Sequence, residues 1–168
     1  MQNNLFYAGS GVSYYYSPAI DPIVGRLYTW EEAVSSCPEG WHLPADTDFA
    51  ALAGDAVEGV SFTRGETFEG SAGAVMADVT FNGIKMWTFW PNVPITNKSG
   101  FSAIPLGYAV DQGENQKYNG ANAYAVFWTS DESGEDGIYR YIYMDKNNIY
   151  CANGDKKSFR ASVRCIKD

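Results

Sequence analysis

Basic charge is scarce in this sequence, and long apolar runs are missing. Twelve Lys and Arg residues stand against twenty Asp and Glu, which gives a net charge of −8 without any basic block. Because binding to a phosphate backbone requires clustered cations, we predict no nucleic-acid partner. No stretch approaches the roughly 20 apolar residues of a membrane span, so we predict no span either.

Histidine is nearly absent, which argues against common forms of catalysis. His42 is the sole histidine, and we expect it to pack inward as a structural, hydrogen-bonded side chain rather than to act as a general base. The sequence has no nucleophile elbow and no Gly-rich phosphate loop. We therefore predict no enzyme and no catalytic residues, although spacing alone leaves open two carboxylate pairs, Asp46 with Asp48 and Glu135 with Asp136.

Metal-binding patterns are also missing. The three cysteines, Cys37, Cys151 and Cys165, match no metal spacing. The acidic segment 131–137 concentrates oxygen ligands but does not follow the EF-hand pattern, so a solvated acidic turn is favoured over a calcium site. We predict no cofactor and no metal ligands, and calcium has no motif to support it.

Aromatic residues and glycine are abundant instead, with twelve Tyr, nine Phe, five Trp and 17 Gly. Aromatics suit pleated surfaces and Gly marks turns, so this composition favours short strands over long helices. A chain of 168 residues fits one domain, predicted over residues 1–168. Because Met1 is not followed by a basic and then apolar run, we expect that the chain starts at a cut or processed site.

Helices are predicted early in the chain, after extended segments and turns over residues 1–26. Thr29 and Glu32 form a capping-box pattern that starts a first helix, which ends at Pro38. Asp46 is predicted to cap a second helix, and helix content is predicted to end near Gly59.

Strands are predicted in the remainder, with a hairpin turn at Asn82-Gly83 and a polar loop over 111–122. The predicted strands are 75–81, 84–89, 104–110, 124–129, 138–144, 149–151 and 162–166, and 152–160 is predicted as a connection. Early helices and late strands indicate the α+β class.

Five segments occur in a fixed order along nearly the whole chain. They are Gly25-Arg26-Leu27-Tyr28-Thr29-Trp30-Glu31-Glu32-Ala33, Cys37-Pro38-Glu39-Gly40-Trp41-His42-Leu43-Pro44, Ser99-Gly100-Phe101-Ser102-Ala103-Ile104-Pro105, Phe127-Trp128-Thr129-Ser130 and Ser162-Val163-Arg164-Cys165. Together they resemble the Fibrobacter succinogenes major paralogous domain family, and Asn4-Leu5 is similar to that family's early Asn-Leu segment. Ala45 and Phe49 depart from the family's usual Thr and Trp, and the family's upstream strand is missing.

The resemblance implies a variant of the C-type lectin-like fold, with two helices plus short antiparallel sheets and long loops. It also implies an extracellular protein or an outer-surface lipoprotein of a bacterium. In such a fold the first helix lies against the last strand, which implies a Cys37–Cys165 disulfide. Two buried free thiols, or a Cys151–Cys165 pair, remain as alternatives.

The known activities of lectin-like proteins fit this sequence poorly. Formylglycine-generating enzymes depend on a closely spaced cysteine pair, which is absent. Calcium-dependent sugar binding uses Glu-Pro-Asn and Trp-Asn-Asp motifs, and only 90–92 half resembles the first of them. We therefore predict that any recognition by this chain depends on aromatic side chains.

Alternation along segment 138–144 places Tyr139, Tyr141 and Tyr143 on one face of a strand. With Asn147 and Tyr150 nearby, this face has the mixture of rigid aromatic and adaptable polar groups that binding surfaces use. We predict that these five residues bind a ligand. The alternative is that the tyrosines are half-buried under loop 111–122 while Arg140 points to solvent.

The tryptophans are predicted to divide into two groups. Trp30, Trp41 and Trp128 lie within the family segments and are predicted to be core residues whose indole N–H groups bond to the backbone. Trp87 and Trp90, together with Asn92, are predicted to form an exposed, ligand-binding platform in a loop.

The predicted function is a non-catalytic binding or adhesion module on a cell surface, recognising a glycan or a surface protein. The first alternative is a structural building block of a larger surface protein or fibre, in which the same aromatics pack against another domain. A glycan-acting enzyme is the third hypothesis.

Overall fold

Strands predominate over helices in the computed structural model, which describes residues 3–87 and 93–168. The helices are α1 (Asp21–Val24), α2 (Trp30–Ser36), α3 (Asp46–Ala56) and α4 (Ala72–Val75), with 3₁₀ turns at Tyr14–Tyr16 and Pro18–Ile20. The strands are β1 (Val12–Ser13), β2 (Arg26–Leu27), β3 (Trp41–His42), β4 (Phe68–Glu69), β5 (Thr80–Phe81), β6 (Ile84–Lys85), β7 (Tyr108–Gln112), β8 (Asn115–Asn119), β9 (Tyr124–Ser133), β10 (Asp136–Tyr143), β11 (Asn148–Asp155), β12 (Phe159–Arg160) and β13 (Ile166–Lys167). The predicted α+β class is confirmed.

The centre of the fold is a four-stranded antiparallel sheet with the order β4-β11-β10-β9. A second sheet of three strands, β12-β7-β8, lies beside it. The two sheets are connected where Gly107 bridges Ala125 in parallel, and the final segment joins β9 where Ser162 bridges Phe127. In the described ranges every named strand pair is antiparallel, and the β9, β10 and β11 meander supplies the longest strands.

Period-two alternation along β9 and β10 divides the core between the two faces of this sheet. Phe127 and Ile142 point to the face covered by α3 and α4, where they join a cluster that includes Phe49 and Trp87. Trp128 points to the opposite face, in a cluster with residues from α2 and the final segment. Both clusters are buried, so the sheet is packed on both sides.

Helix α2 begins with the predicted capping box. The Thr29 hydroxyl accepts a hydrogen bond from the Glu32 amide at 3.2 Å, and the Glu32 carboxylate accepts one from the Thr29 amide at 2.9 Å. The Trp30 indole donates to the Thr129 carbonyl at 2.9 Å. Its ring lies on the backbone of Gly137, where a β-carbon would approach the ring to 2.3 Å. Gly137 is therefore required for α2 to dock on β10.

The final segment is attached to the early chain covalently and by hydrogen bonds. Cys37, at the C-terminal cap of α2, forms a disulfide with Cys165, with the two Cα atoms 5.8 Å apart. The Leu5 amide donates to the Val163 carbonyl at 2.8 Å. The predicted disulfide is confirmed, and Cys151 has a free, half-buried thiol whose pKa is raised by burial.

Arg164 connects three of the recognised sequence segments. Its guanidinium donates to the Asn4 side-chain oxygen at 2.6 Å, to the Ser102 carbonyl at 3.0 Å and to the Phe101 carbonyl. It also lies 4.6 Å from the centroid of the Phe101 ring. Segments that are distant in sequence therefore meet at one buried cation, which explains why they occur together.

A second buried arginine ties α3 to the central sheet. Arg140 and Asp46 are both fully buried and pair through two hydrogen bonds of 2.5 and 2.7 Å. The Arg140 guanidinium also lies 3.7 Å from the Phe68 ring centroid and donates to the Glu66 carbonyl. The alternative in which Arg140 points to solvent is wrong, because its partner lies on the helix that covers this face.

Several predicted boundaries are wrong. Asp46 is the first residue of α3 and does not cap it, since its carboxylate pairs with Arg140 and the N-cap is Ala45. Helix content does not end near Gly59, because α4 follows, and α4 takes the start of the predicted strand 75–81. The polar loop 111–122 is largely strand β8, which pairs with β7. Polar strand residues lack the apolar pattern on which the prediction depended.

Further predicted element boundaries differ from those in the structure. Strand β11 extends to Asp155 and absorbs half of the predicted connection 152–160. The predicted strand 162–166 is mainly irregular, with β13 starting only at Ile166. Residues 1–26 contain 3₁₀ turns and α1 as well as extended chain. The hairpin turn at Asn82-Gly83 is confirmed between β5 and β6.

Removal of the disulfide tests how strongly the attached ends stabilise the fold. Cys37→Ala combined with Cys165→Ala opens a loop of 128 residues, and we expect the free energy of unfolding to fall by about 5 kcal/mol on the chain-entropy model. Chemical denaturation measures this change, with Cys151→Ala as the matched control that leaves the disulfide intact. Equal stability of the double variant and the control would contradict this expectation.

Removal of the buried guanidinium tests the second attachment. Arg140→Leu leaves the Asp46 carboxylate buried without its partner, and we expect a loss of about 3–5 kcal/mol in the free energy of unfolding. Arg64→Leu is the control, because the Arg64–Asp131 pair is half exposed and such pairs contribute about 0–1 kcal/mol. The double variant Asp46→Leu with Arg140→Leu should recover part of the loss, and no recovery would contradict the pairing argument.

Candidate functional site

Strand β10 presents three tyrosines on the face opposite to its buried residues. Tyr139, Tyr141 and Tyr143 are each partly exposed, whereas Arg140 and Ile142 between them are buried under α3 and α4. The predicted alternation is therefore confirmed. It arises because one face of the strand must cover the α3 cluster, which forces the tyrosines to the other side.

Neighbouring strands add further rings to the same surface, which we call the tyrosine face. Its members are partly exposed and lie on β7, β9, β10, β11 and β12. They are Tyr108, Tyr124, Tyr139, Tyr141, Tyr143, Tyr150 and Phe159. The register of the sheet brings them together, since Tyr141 pairs with Tyr150 on β11 and Tyr143 pairs with Tyr124 on β9.

The rings of the tyrosine face stack on one another in nearly parallel pairs. Such stacking uses one face of each paired ring within the protein. The pairs and their centroid distances and interplanar angles are Tyr124 with Tyr143 (4.6 Å, 29°), Tyr141 with Tyr150 (5.0 Å, 23°), Tyr139 with Phe159 (4.7 Å, 9°) and Tyr108 with Phe159 (5.1 Å, 22°). Each ring is thus fixed by its neighbour, so the surface is preorganised.

Most hydroxyl groups of the tyrosine face have no partner within the described part of the chain. These unpartnered hydroxyls belong to Tyr108, Tyr124, Tyr139, Tyr141 and Tyr143. Elsewhere tyrosine hydroxyls are used internally: Tyr28 donates to the Leu5 carbonyl and Tyr118 to the Ser13 carbonyl. The tyrosine face therefore concentrates free donors and acceptors in one place.

Burial raises the pKa of three of these phenols, Tyr124, Tyr139 and Tyr141. Partial burial, and the neighbouring phenols, raise the pKa of Tyr124 and Tyr139 above the ordinary value of 10.0, and burial followed by Tyr150 does the same for Tyr141. A raised pKa means that the neutral, hydrogen-bonding form persists at physiological pH and beyond it. Tyr124, Tyr139 and Tyr141 therefore supply uncharged hydroxyl groups to the tyrosine face.

A cleft of about 240 Å³ opens within the tyrosine face. It is lined by Tyr108, Tyr124, Val126, Tyr139, Tyr141, Ala152 and Phe159. Two larger clefts lie beside α3, with about 530 Å³, and against the N-terminal segment, with about 440 Å³. Neither is lined by tyrosine, so the smaller cleft is the one in which aligned hydroxyls and apolar ring edges occur together.

The predicted ligand residues are only partly brought together. Tyr150 joins Tyr139, Tyr141 and Tyr143 on the tyrosine face. Asn147 instead accepts a hydrogen bond from the Gly73 amide at 2.7 Å and donates to the Gly70 carbonyl at 3.0 Å, and so it fixes the turn before α4. Its side chain is committed to the fold.

The prediction of an exposed tryptophan platform fails at Trp87. Trp87 is 1% exposed and its indole donates to the Ala103 carbonyl at 3.3 Å, so the prediction of an exposed Trp87 is wrong. Nearby prolines suggested an exposed loop, but Trp87 belongs to the buried cluster that includes Phe49. Trp90 and Asn92 lie outside the described residues. Trp128 is buried and donates to the Tyr28 carbonyl at 2.8 Å, as predicted.

Sequence reasoning missed three members of the tyrosine face, namely Tyr108, Tyr124 and Phe159. Tyr124 had a usable signal, because period-two spacing along β9 places it on the same face as the buried Val126 and Trp128. Tyr108 and Phe159 gave no local signal, because their position on the tyrosine face depends on the pairing of β7 with β12. That pairing joins chain segments that are about 50 residues apart in sequence. Long-range pairing of short strands is not encoded in local pattern.

Candidate catalytic groups lie away from the tyrosine face. His42 is half-exposed and hydrogen-bonded to Asp168 at 2.6 Å, so the prediction that it packs inward is wrong, although it is hydrogen-bonded. Asp46 is committed to Arg140, and Asp48 accepts a hydrogen bond from the Ala45 amide at 2.7 Å. These two carboxylates therefore serve the N-terminus of α3.

Residues 3–87 and 93–168 contain neither a metal-ligand cluster nor a helix that could span a membrane. Within these ranges no group of three or more His, Cys, Asp or Glu side chains is arranged to hold a metal ion. None of the helices there has the length and apolar character that crossing a membrane requires. Segment 131–137 forms the end of the β9–β10 hairpin, with residues 134–135 as its turn, and Asp131 pairs with Arg64 at 2.8 Å.

Comparison with known families decides the classification. The family model described as Fibrobacter succinogenes major domain matches residues 3–167. The chain belongs to this family. No curated protein and no solved structure matches the chain. Membership in the Fibrobacter succinogenes major domain family therefore accounts for the shared segments, and the tyrosine face has to be interpreted from its own chemistry.

Phenol ionisation tests the burial of the tyrosine face. Because the folded-state pKa values of Tyr124, Tyr139 and Tyr141 are raised, their contribution to stability is present below about pH 10 and is lost as the pH rises through the folded values. We expect tyrosinate absorbance to appear later in the folded protein than in guanidinium-unfolded protein. Tyr139→Phe with Tyr141→Phe should remove part of the late phase, and coincident titration of the two states would contradict the burial argument.

Proposed function

We propose that this chain is a non-catalytic binding module of the bacterial cell surface, and that the tyrosine face contacts its ligand, a glycan or a surface protein. The observation that carries the proposal is the concentration of unpartnered hydroxyls on stacked, partly exposed rings. Hydroxyls on partly exposed rings can bond to water, and a ligand with polar groups can take the place of that water.

Preorganisation supports recognition at this face. Binding normally costs side-chain ordering, and rings that are already stacked lose little freedom when a ligand arrives. Tyrosine offers a large contact area with few rotatable bonds and a polar group at its end. The face is therefore suited to contact a ligand with both apolar and polar atoms.

The proposed fold is a variant of the C-type lectin-like domain. It is supported by the disulfide between the end of α2 and the final segment and by the contact of Leu5 with Val163. The proposed extracytoplasmic location is supported by the same disulfide, because such bonds persist mainly in oxidising compartments. A lipid anchor or secretion signal belongs to this proposal as an expectation from the family.

The absence of catalysis is part of the proposal. The residues that line the tyrosine cleft include no carboxylate, imidazole or thiol, and such groups are the usual acids, bases and nucleophiles. A screen of the purified domain with chromogenic glycosides tests this statement. Turnover that disappears in a Tyr141→Ala variant would overturn it.

Binding arrays of glycans and of purified surface proteins test the binding function directly. We expect Tyr141→Ala with Tyr143→Ala to weaken binding by about tenfold or more, as truncation of central aromatic anchors does in other interfaces. Ile84→Ala is the matched control, because Ile84 is 64% exposed and lies on β6, outside the tyrosine face. Chemical denaturation of the wild-type protein and both variants should show that each is folded under the conditions of the binding assay.

Two results would contradict the proposal. Binding that is equal in the tyrosine variant and the Ile84→Ala control would locate the ligand elsewhere. Failure of the isolated domain to bind on either array, together with protection of Tyr141 and Tyr143 from modification in a longer parent protein, would favour the structural building block. In that case the same rings would pack against a neighbouring domain.

A further inference from the structure

We infer that the ligand of the tyrosine face is a neutral, hydroxyl-rich glycan, recognised through phenol hydroxyls and ring edges rather than by stacking of a sugar on an open ring. This inference rests on the proposed binding function and names the ligand class of the same face. It follows from three features: the stacking of the rings, the absence of charged side chains from the residues that line the cleft, and the number of phenol hydroxyls without a partner among the described residues.

The rings of the tyrosine face stack in pairs. The nearly parallel pairs, at 4.6–5.0 Å between centroids for Tyr124 with Tyr143 and Tyr141 with Tyr150, turn ring faces toward each other. Each stacked pair therefore uses one face of each ring within the protein, which leaves fewer ring faces on which a sugar could stack. The phenol hydroxyls and ring C–H groups of these residues match the C–H and hydroxyl groups of a sugar.

The residues that line the cleft carry no charge. The lining of the cleft contains four tyrosines, one phenylalanine, Val126 and Ala152, and thus no charged side chain. The whole chain carries a net charge of −8. An anionic glycan would meet no cation in the cleft and would approach against this negative field, whereas a neutral glycan pays neither cost.

The phenol hydroxyls of the tyrosine face can both donate and accept hydrogen bonds. Each phenol hydroxyl can donate one hydrogen bond and accept others, and five of them lack partners among the described residues. An apolar protein surface laid over this face would bury them unsatisfied, which is costly. A ligand that carries many hydroxyls can satisfy them all, either directly or through water.

The test compares neutral and anionic glycans on one array, with Tyr→Phe variants that remove hydroxyls but keep rings. We expect neutral glycans to bind with little dependence on salt. Tyr124→Phe and Tyr141→Phe should each weaken binding roughly two- to tenfold, the usual worth of one hydrogen bond. Tyr7→Phe is the control, since Tyr7 is 51% exposed and does not line the cleft.

The outcomes separate this inference from the binding function. Preference for sulfated or uronic-acid glycans with strong salt dependence overturns the neutral class, while binding at the face stands. Loss of binding in Tyr141→Ala but not in any Tyr→Phe variant overturns hydroxyl recognition alone. Binding of a purified protein, and of no glycan, through these tyrosines assigns the face to a protein partner. Binding that no tyrosine variant changes overturns both proposals.

Discussion

The structure depends on the attachment of its last segment to its first. The Cys37–Cys165 disulfide, the Leu5–Val163 hydrogen bond and the Arg164 guanidinium hold residues 161–165 against the early chain. These contacts close long loops, whose closure entropy would otherwise oppose the fold. The attached segment in turn covers Trp128, since the Trp128 amide donates to the Ser162 carbonyl. Without this cover, one side of the central sheet would lack its buried core.

The same cover explains why a tyrosine face exists at all. The final segment and α2 bury the β9 and β10 residues near Trp128, whereas Tyr124, at the other end of β9, is only partly buried against the same cluster. The sheet thus has one side closed by α3 and α4 and a second side that is only half covered. Side chains on the open half must tolerate water and still cover the sheet. Tyrosine does both, because its ring is apolar and its end is polar.

Much of the scaffold was predictable because its determinants are local or covalent. The capping box of α2, the Asn82-Gly83 turn and the alternation of β10 follow from neighbouring residues alone. The disulfide followed from the family resemblance. The Arg140–Asp46 pair was missed because its partners are 94 residues apart. The burial of Trp87 was missed because the residues that it clusters with, such as Phe49, are distant in sequence. About half of the tyrosine face was identified, namely the part that lies on β10 and at Tyr150.

The position of the tyrosine face relative to the family segments bears on how its ligand should be sought. Trp128, Arg164 and Cys165 lie within those segments and are buried, so the segments are explained by the requirements of the scaffold. The four predicted tyrosines lie between the segments and are not needed for the attachment of the chain ends. Membership in the family therefore carries information about fold and little about ligand, as expected when function resides in a site placed on a shared scaffold. The ligand of one member should then be inferred from its own exposed face, here from stacked rings, free hydroxyls and the lack of charge.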